Sequence, residues 1–359
     1  MRVTVLGGGN GAMAVAGEWA LAGHEVRIAE LADYRGPMDG VAQAGAITLA
    51  GKLEGQAPIA SCGVDFGEAL EGAELVFVVG PAFATEPLAR AAAPFLTDGM
   101  TVVVCPGSCL GAVAFARAAG IPLDAEGITI AETSTLPYAA RITDTATVQI
   151  FHRLTGGLYV AALGGQERTQ QTSALLRQVW EGMEPARNVW QTALQNGNPV
   201  IHPAVTLLNA CLIERTGGDF LFYEEGVTPA SGALMAAVDA ERLAIGRALG
   251  ATVLSEPAIG VAQEYMQQEN YTTGYSTAPG FLGIKAQSSL DNRYLTEDVG
   301  FSMIFFTDIA RAVGVPTPIM DAIIAITEVV LDTDYRAAPA RTLESLGLGG
   351  MSTEQLQAI

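Results

Sequence analysis

The sequence predicts an α/β protein in two domains, a mostly parallel sheet first and an all-α domain after it. Three observations carry this. Continuous apolar runs ending in glycine or proline alternate with helical stretches over the first half of the chain, the pattern of strands covered on both faces. A glycine turn, "GGGNGA" (residues 7–12), joins the first of these runs to a helix of small residues. From about residue 188 the alternation stops, and helical segments follow one another, punctuated by glycine and proline. A length of 359 residues exceeds one ordinary core, so the expected division is 1–187 for the sheet domain and 188–359 for the helical one.

Residues 2–6, "RVTVL", form the first expected strand and "EVRIAE" (25–30) the second. "ELVFVVG" (74–80), "TVVVCPG" (101–107) and "GITIAET" (127–133) supply three more, with helices expected at about 84–93 and 109–119. Strands and helices at this spacing imply right-handed crossovers and a doubly wound, Rossmann-type sheet. "TATVQIF" and "GLYVAAL" read as strands of a meander, and "QERTQQTSALLRQVWEGM" as an amphipathic helix. Beyond the boundary, "HPAVTLLNACLIE", "SGALMAAVDAERLAIGRALG", "VGFSMIFFTDIARAVG" and "TPIMDAIIAITEVVLD" read as helices. No repeat of fixed period interrupts this order.

Charge narrows the function. With 38 acidic against 19 basic residues the net charge is −19, which repels phosphate backbones and anionic membranes, so neither is an expected partner. An anionic small substrate would need a local cation, which draws attention to individual arginines, because Lys52 and Lys285 are the only lysines. The four cysteines, Cys62, Cys105, Cys109 and Cys211, follow neither a zinc spacing nor a disulfide framework. No metal is expected, and the thiols are expected to be reduced. The N-terminus runs straight into a strand with no signal-type apolar segment, and no apolar run reaches membrane-spanning length. A cytoplasmic location is the expectation. The apolar helices "MIFFTDIARAV" and "IMDAIIAITEVVL" could pair two subunits, and core burial explains them equally well.

The glycine turn has a specific use. In a strand–turn–helix setting Gly7 makes the tight turn, Gly9 lets the backbone approach a pyrophosphate, and Ala12 allows close helix–strand packing, with Asn10 and Gly11 in the same turn. The helix N-terminus then faces the phosphates. Glu30, at the end of the second strand, is placed to bind the ribose hydroxyls of NAD and to repel the 2′-phosphate of NADP. NAD is therefore the expected cofactor, although Arg27 and Arg35 lie close enough in sequence to assist a phosphate. Two further loops end strands where open sheets bind ligands: "GPAFA" (80–84) with Pro81, and "CPGSCLGA" (105–112) with Pro106 and Gly107. They read either as strand terminators or as walls of the nicotinamide pocket.

Hydride transfer needs an acid/base near the reacting carbon and a cation for the substrate carboxylate. Of the three histidines, His24 belongs to a turn and His152 follows an expected strand. His202 lies in "NGNPVIHPAVTLLNA" (196–210), between Pro199, which suits a first helical turn, and Pro203, which would break or kink a helix under way. A catalytic imidazole requires a carboxylate partner. "DNRYLTEDVGF" (291–301) offers Asp298 at the start of an apolar helix, with Arg293 nearby; a surface ion pair or helix cap is the competing reading.

The segments "LGGGNGAMA", "AETSTLPYAAR", "NPVIHPAVTLLNA", "EGVTPASGALMAAVDAERLAI", "NRYLTEDV", "VPTPIMDAII" and "RTLESLGL" change those odds. Through them nearly the whole chain resembles the octopine/nopaline (opine) dehydrogenase family, and within it the bacterial N-(1-carboxyethyl)norvaline dehydrogenase type. The resemblance implies NADH-dependent reductive condensation of an amino acid's α-amine with a 2-oxo acid such as pyruvate. It implies His202 as acid/base, Asp298 as its partner, Arg293 as the substrate-carboxylate ligand, and Thr133 and Ser134 beside the substrate. Leu136-Pro137 and Gly217-Gly218 depart from the family pattern and leave the amino acid open. A plain 2-oxo acid or ketone reductase, and a nicotinamide-binding sensor without catalysis, stand as alternatives.

Overall fold

The computed structural model describes residues 1–338 and 340–359, and the chain divides into two compact units, Met1–Ala193 with Ile359, and Leu194–Ala358. The first unit holds twelve strands: β1 (Arg2–Leu6), β2 (Glu25–Ala29), β3 (Ala46–Gly51), β4 (Gly55–Pro58), β5 (Ser61–Gly63), β6 (Leu75–Val78), β7 (Thr101–Val104), β8 (Thr129–Thr133), β9 (Tyr138–Asp144), β10 (Thr147–Arg153), β11 (Leu158–Ala162) and β12 (Met183–Pro185). Its helices are α1 (Asn10–Leu21), α2 (Asp39–Ala44), α3 (Phe66–Leu70), α4 (Thr85–Ala92), α5 (Gly111–Ala118), α6 (Gln166–Leu176) and α7 (Val189–Leu194), the last running across the division.

Eight strands form the main sheet in the order β12-β11-β8-β7-β6-β1-β2-β5. Only the β11–β8 pairing is antiparallel. The core strands β6 and β7 carry the buried, unbroken apolar runs Leu75–Val78 and Val102–Val104, the pattern of strands covered on both faces. The strand order reverses at β1, which pairs with β2 on one side and β6 on the other. That reversal opens a crevice at the C-terminal ends of the strands, and the glycine turn lies there.

The expected meander is corrected. The two strands expected in it, β10 and β11, are not neighbours: β10 pairs with β9, a strand not expected from the sequence, and with β3, building a second sheet in the order β4-β3-β10-β9, while β11 returns to the main sheet. The small sheet packs on α1, where a Cβ on Gly17 would sit 2.9 Å from the Leu49 side chain. A buried carboxylate ties the two together: Glu18 accepts from the Tyr138 hydroxyl, from Trp180 Nε1 (3.1 Å) and from Arg153 Nε (2.6 Å). The helix expected over "QERTQQTSALLRQVWEGM" ends at Leu176, and the chain then enters β12.

The second unit consists of α8 (Asn198–Leu208), α9 (Ala210–Thr216), α10 (Pro229–Ala248), α11 (Glu256–Ala262), α12 (Thr273–Ser276), α13 (Arg293–Thr296), α14 (Ile304–Ala312), α15 (Pro318–Leu331) and α16 (Thr353–Gln357). Among the described residues its one strand-like pairing is an isolated bridge between Leu221 and Lys285. The long α10 starts at a Thr228/Ser231 capping box followed by Pro229 and runs through the core. Its Asp239 and Arg242 form a fully buried ion pair, and Asp239 also accepts from Tyr271 Oη (2.6 Å) and from Glu256 N (2.8 Å). Glu241 of the same helix accepts from the N–H groups of Ile319 (2.8 Å) and Met320 (2.9 Å), closing the N-terminus of α15. Among the described residues no helix is long and apolar enough to cross a membrane.

Candidate active site

The first unit builds a cradle around the glycine turn. Gly7 has φ +128°, and a Cβ there would lie 2.2 Å from the Val79 carbonyl oxygen, so the turn closes only around glycine. Gly9 is the N-cap of α1 at an ordinary φ of −82°, and a Cβ on it would meet nothing within 4 Å. No side chain caps this helix and its first turn holds no acid, so its dipole and its leading N–H groups face that open space. Glu30 Oε2 accepts from Gly8 N (2.8 Å) and Oε1 from Leu31 N (2.7 Å), which fixes the acid beside the turn while each oxygen keeps a second lone pair. These residues fit a dinucleotide.

Other expected cofactor residues take more structural parts. Asn10 Oδ1 accepts from Ile142 N (2.8 Å), tying the turn to β9, and a Cβ on Gly11 would come within 2.8 Å of Leu136. Ala12 is buried in α1. Pro81 precedes the short 3-10 turn Ala82–Ala84 that ends β6. Pro106 follows a cis peptide bond, and a Cβ on Gly107 would lie 2.2 Å from that of Glu132. Arg27 is turned to the carbonyls of Glu68 and Glu71 and to Glu25, so it does not serve as a phosphate ligand at the turn. Arg35 pairs with Asp39 (3.4 Å) and lines a pocket of about 200 Å³ with Met38, Cys62 and Gly63. The Gly63 carbonyl accepts the Glu30 N–H, which puts this pocket beside the acid at the end of β2.

Thr133 and Ser134 are buried where β8 ends. The Thr133 hydroxyl donates to Thr135 O (2.9 Å), and Ser134 Oγ accepts from Tyr159 N (3.1 Å), so both hydroxyls hold the loop itself.

The second unit carries the candidate acid/base. α8 begins with Pro199 in its first turn and continues unbroken through Pro203 to Leu208. Pro203 has no N–H for the Pro199 carbonyl, yet it is early enough in the helix for the remaining turns to form. His202 therefore sits within a continuous helix, neither at its start nor at a break, and is buried. The helix expected through "HPAVTLLNACLIE" divides at Asn209 into α8 and α9.

Asp298 also departs from expectation. It opens a π-helical turn, Asp298–Met303, between α13 and α14, where an ordinary helix start was expected. Such a turn inserts an extra residue per hydrogen-bonded ring and re-aims the side chains that leave it. Asp298 Oδ2 lies 2.7 Å from His202 Nδ1, with both side chains buried. The imidazole stacks on Tyr294 at 3.9 Å and 18°, and its Nε2 lies 3.2 Å from the Tyr223 hydroxyl.

Arg293 pairs with Glu297 (3.3 Å), one turn further along, and 58% of its side chain is exposed; Asp298 belongs to the histidine. Burial raises the pKa of Glu297 above its usual value, while Arg293 pulls it back down. The two remaining histidines stand elsewhere: His24 Nδ1 lies 3.5 Å from the terminal amine, and His152 is on β10. Lys285 pairs with Asp219 at the surface (2.6 Å). Tyr223 and Tyr294, next to the imidazole, carry no signature in the sequence, because their contacts with His202 join residues distant in the chain.

A doubly wound sheet with a glycine turn at its reversal point, an acid at the end of the second strand, and a helical unit with a buried His–Asp pair define an NAD(P)-dependent oxidoreductase. Residues 185–331 match the family described as NAD/NADP octopine/nopaline dehydrogenase, alpha-helical domain. The chain is 32% identical to an opine dehydrogenase of Arthrobacter sp. (strain 1C), over 99% of this chain and 97% of that one. It is 27% identical to a vitopine synthase of Allorhizobium ampelinum, over 97% and 96% of the two chains. Its fold is similar to that of octopine dehydrogenase solved with NADH and L-arginine, with a TM-score of 0.79, 21% identity, and 100% and 98% of the two chains covered. The chain belongs to the octopine/nopaline (opine) dehydrogenase family.

Proposed function

We propose that this protein condenses the α-amine of an amino acid with a 2-oxo acid, pyruvate first among them, and reduces the product with NADH to an N-(carboxyalkyl)amino acid, reversibly. The observation that carries the reading is the buried His202–Asp298 pair at 2.7 Å. Family membership supports the reaction, and octopine dehydrogenase has been solved with NADH and L-arginine and with NADH and pyruvate.

Asp298 fixes the hydrogen of the imidazole on Nδ1 and stabilises the ring when it becomes a cation. His202 Nε2 is then the atom that moves protons between the amine nitrogen and the carbonyl oxygen. Arg293 holds the oxo-acid carboxylate through its planar fork. NADH, when bound, supplies the hydride that reduces the imine carbon. The cradle of Gly7, Gly9 and Ala12 holds the pyrophosphate and Glu30 the adenosine ribose, which favours NAD over NADP. Pro81, Pro106 and Gly107 wall the nicotinamide end. Asn10, Thr133 and Ser134 keep these loops in shape through the bonds described above. Cys62, Cys105, Cys109 and Cys211 are held as thiols, which fits a reducing, cytoplasmic setting.

The test is a panel of amino acids with pyruvate, NADH and NADPH, run on the wild type and on His202→Ala. Expected are amine-dependent NADH oxidation by the wild type, a preference for NADH, and loss of turnover in the variant with NADH binding kept. Wild-type-like turnover in His202→Ala would overturn the acid/base assignment. Equal NADH oxidation with pyruvate alone would make the protein a simple oxo-acid reductase.

A further inference from the structure

His202 has two ring nitrogens, and the structure engages both. Nδ1 faces Asp298, and an ionised carboxylate can only accept, so Nδ1 carries the hydrogen in the neutral ring. Nε2 is then the lone-pair nitrogen and the route by which a proton enters or leaves. It is not open: the Tyr223 hydroxyl lies 3.2 Å from it and donates to it.

The phenol is itself held in place. Its ring stacks on Phe281 at 4.3 Å and 15°, and meets Phe222 edge-on at 5.0 Å and 85°. Tyr223 is buried, and burial, with Tyr294, Glu256 and Asp298 nearby, keeps its pKa well above the usual value. Its hydroxyl accordingly stays a neutral donor. With Tyr294 against its face and a partner on each nitrogen, the imidazole has no freedom to rotate.

We propose that Tyr223 is a positioning residue of the proton-transfer site, pinning His202 Nε2 through its hydroxyl and yielding that place to the carbonyl oxygen of the 2-oxo acid. The inference rests on the proton-transfer role given to His202 above. When the amine adds to the carbonyl carbon, the C–N bond forms and the π pair moves onto oxygen. Both amine hydrogens are then lost with that oxygen as water, leaving the imine. His202 carries these protons; Tyr223 keeps its own and takes no part in the balance. Its contribution is alignment, which is worth large factors in rate when a reacting atom is otherwise misplaced. Without it Nε2 is a buried acceptor with no partner, and the ring is held from one side only.

The test is Tyr223→Phe, which keeps the aromatic packing. A fall in kcat on the order of 10–100-fold is expected, with the KM for NADH and the Tm nearly unchanged. With only three histidines in the chain, ¹⁵N NMR can follow His202 directly, and loss of the donor should move its Nε2 resonance downfield. A fluorinated tyrosine at position 223, a stronger donor, should move it upfield and keep turnover. Turnover within twofold of wild type in Tyr223→Phe, with unmoved His202 resonances, overturns the proposal. If that variant does not fold, the fluorotyrosine protein decides alone: an unmoved Nε2 resonance overturns it. Loss of turnover in His202→Ala but not in Tyr223→Phe removes Tyr223 only, whereas full turnover in His202→Ala removes the reading beneath it.

Discussion

Asp298 and His202, 96 residues apart in the chain, are brought to 2.7 Å in the interior of the helical unit. The carboxylate reaches Nδ1 from the first residue of a π-helical turn, and the imidazole comes from the second turn of α8. Asp298→Asn should therefore do more than weaken a bond. An amide can offer its NH₂ to Nδ1 and trap the opposite tautomer, taking the lone pair away from Nε2. The expected loss of kcat is on the order of 10²–10⁴-fold, with NADH affinity by titration unchanged.

Arg293 is more than half exposed, and among the described residues its ion-pair partner is Glu297 alone, so it is free to turn to an incoming carboxylate. Lysine keeps the charge but loses the fork. Arg293→Lys should raise the KM for pyruvate about tenfold or more, a loss of about 1.4 kcal/mol, with the KM for NADH unchanged. An unaltered pyruvate KM would remove Arg293 from the substrate site.

Two glycines of one turn should fail in different ways. Gly7→Ala sets a Cβ 2.2 Å from a backbone oxygen at φ +128°, so the loop must distort and the Tm should fall. Gly9→Ala meets no protein atom within 4 Å and keeps an ordinary φ, so its Tm should match wild type while NADH binding weakens tenfold or more. Thermal melts with and without NADH read both at once.

Glu256 is buried against the start of α8, where a Cβ on Gly197 would lie 2.5 Å from its Cγ, and its Oε2 has no hydrogen-bond partner. Burial pushes its pKa up to about 8, Arg242 pulls it down, and Asp239 adds to the rise. A carboxyl with a raised folded-state pKa favours the fold while it is protonated. Its contribution is whole below the unfolded value, near 4.5, and is lost as pH rises through about 8. Glu256→Gln should flatten the decline of Tm across that window, and a parallel decline in both proteins would show that the carboxyl does not titrate there.

Much of this molecule is legible in its residue order because the causes are local. The buried strands β1, β6 and β7 and the glycine turn that joins β1 to α1 are legible in the residue order, since each needs only its own neighbours in the chain; that this turn and Glu30 take a dinucleotide is the reading proposed above. The small sheet was less visible. β3 and β4 are short, and β3 buries only alternate residues, Ile47 and Leu49, so its signal is weak. Where β10 would pair could not be read locally, because a hairpin's outer partner is chosen by long-range hydrogen bonding.

The sequence by itself determined the two-part plan, the strand–glycine turn–helix that opens the first unit, and the residue types available for acid/base work, because helix and strand periods and turn chemistry act over a few residues. Tertiary structure alone decided that Asp298 belongs to His202 while Arg293 pairs with Glu297, that Arg27 is turned away, and that Tyr223 closes the second nitrogen of the imidazole. Those choices depend on where a π-helical turn aims one side chain and on which rings stack across the interior of the second unit. Contacts of that kind are formed between residues far apart in the chain, and no local pattern encodes them.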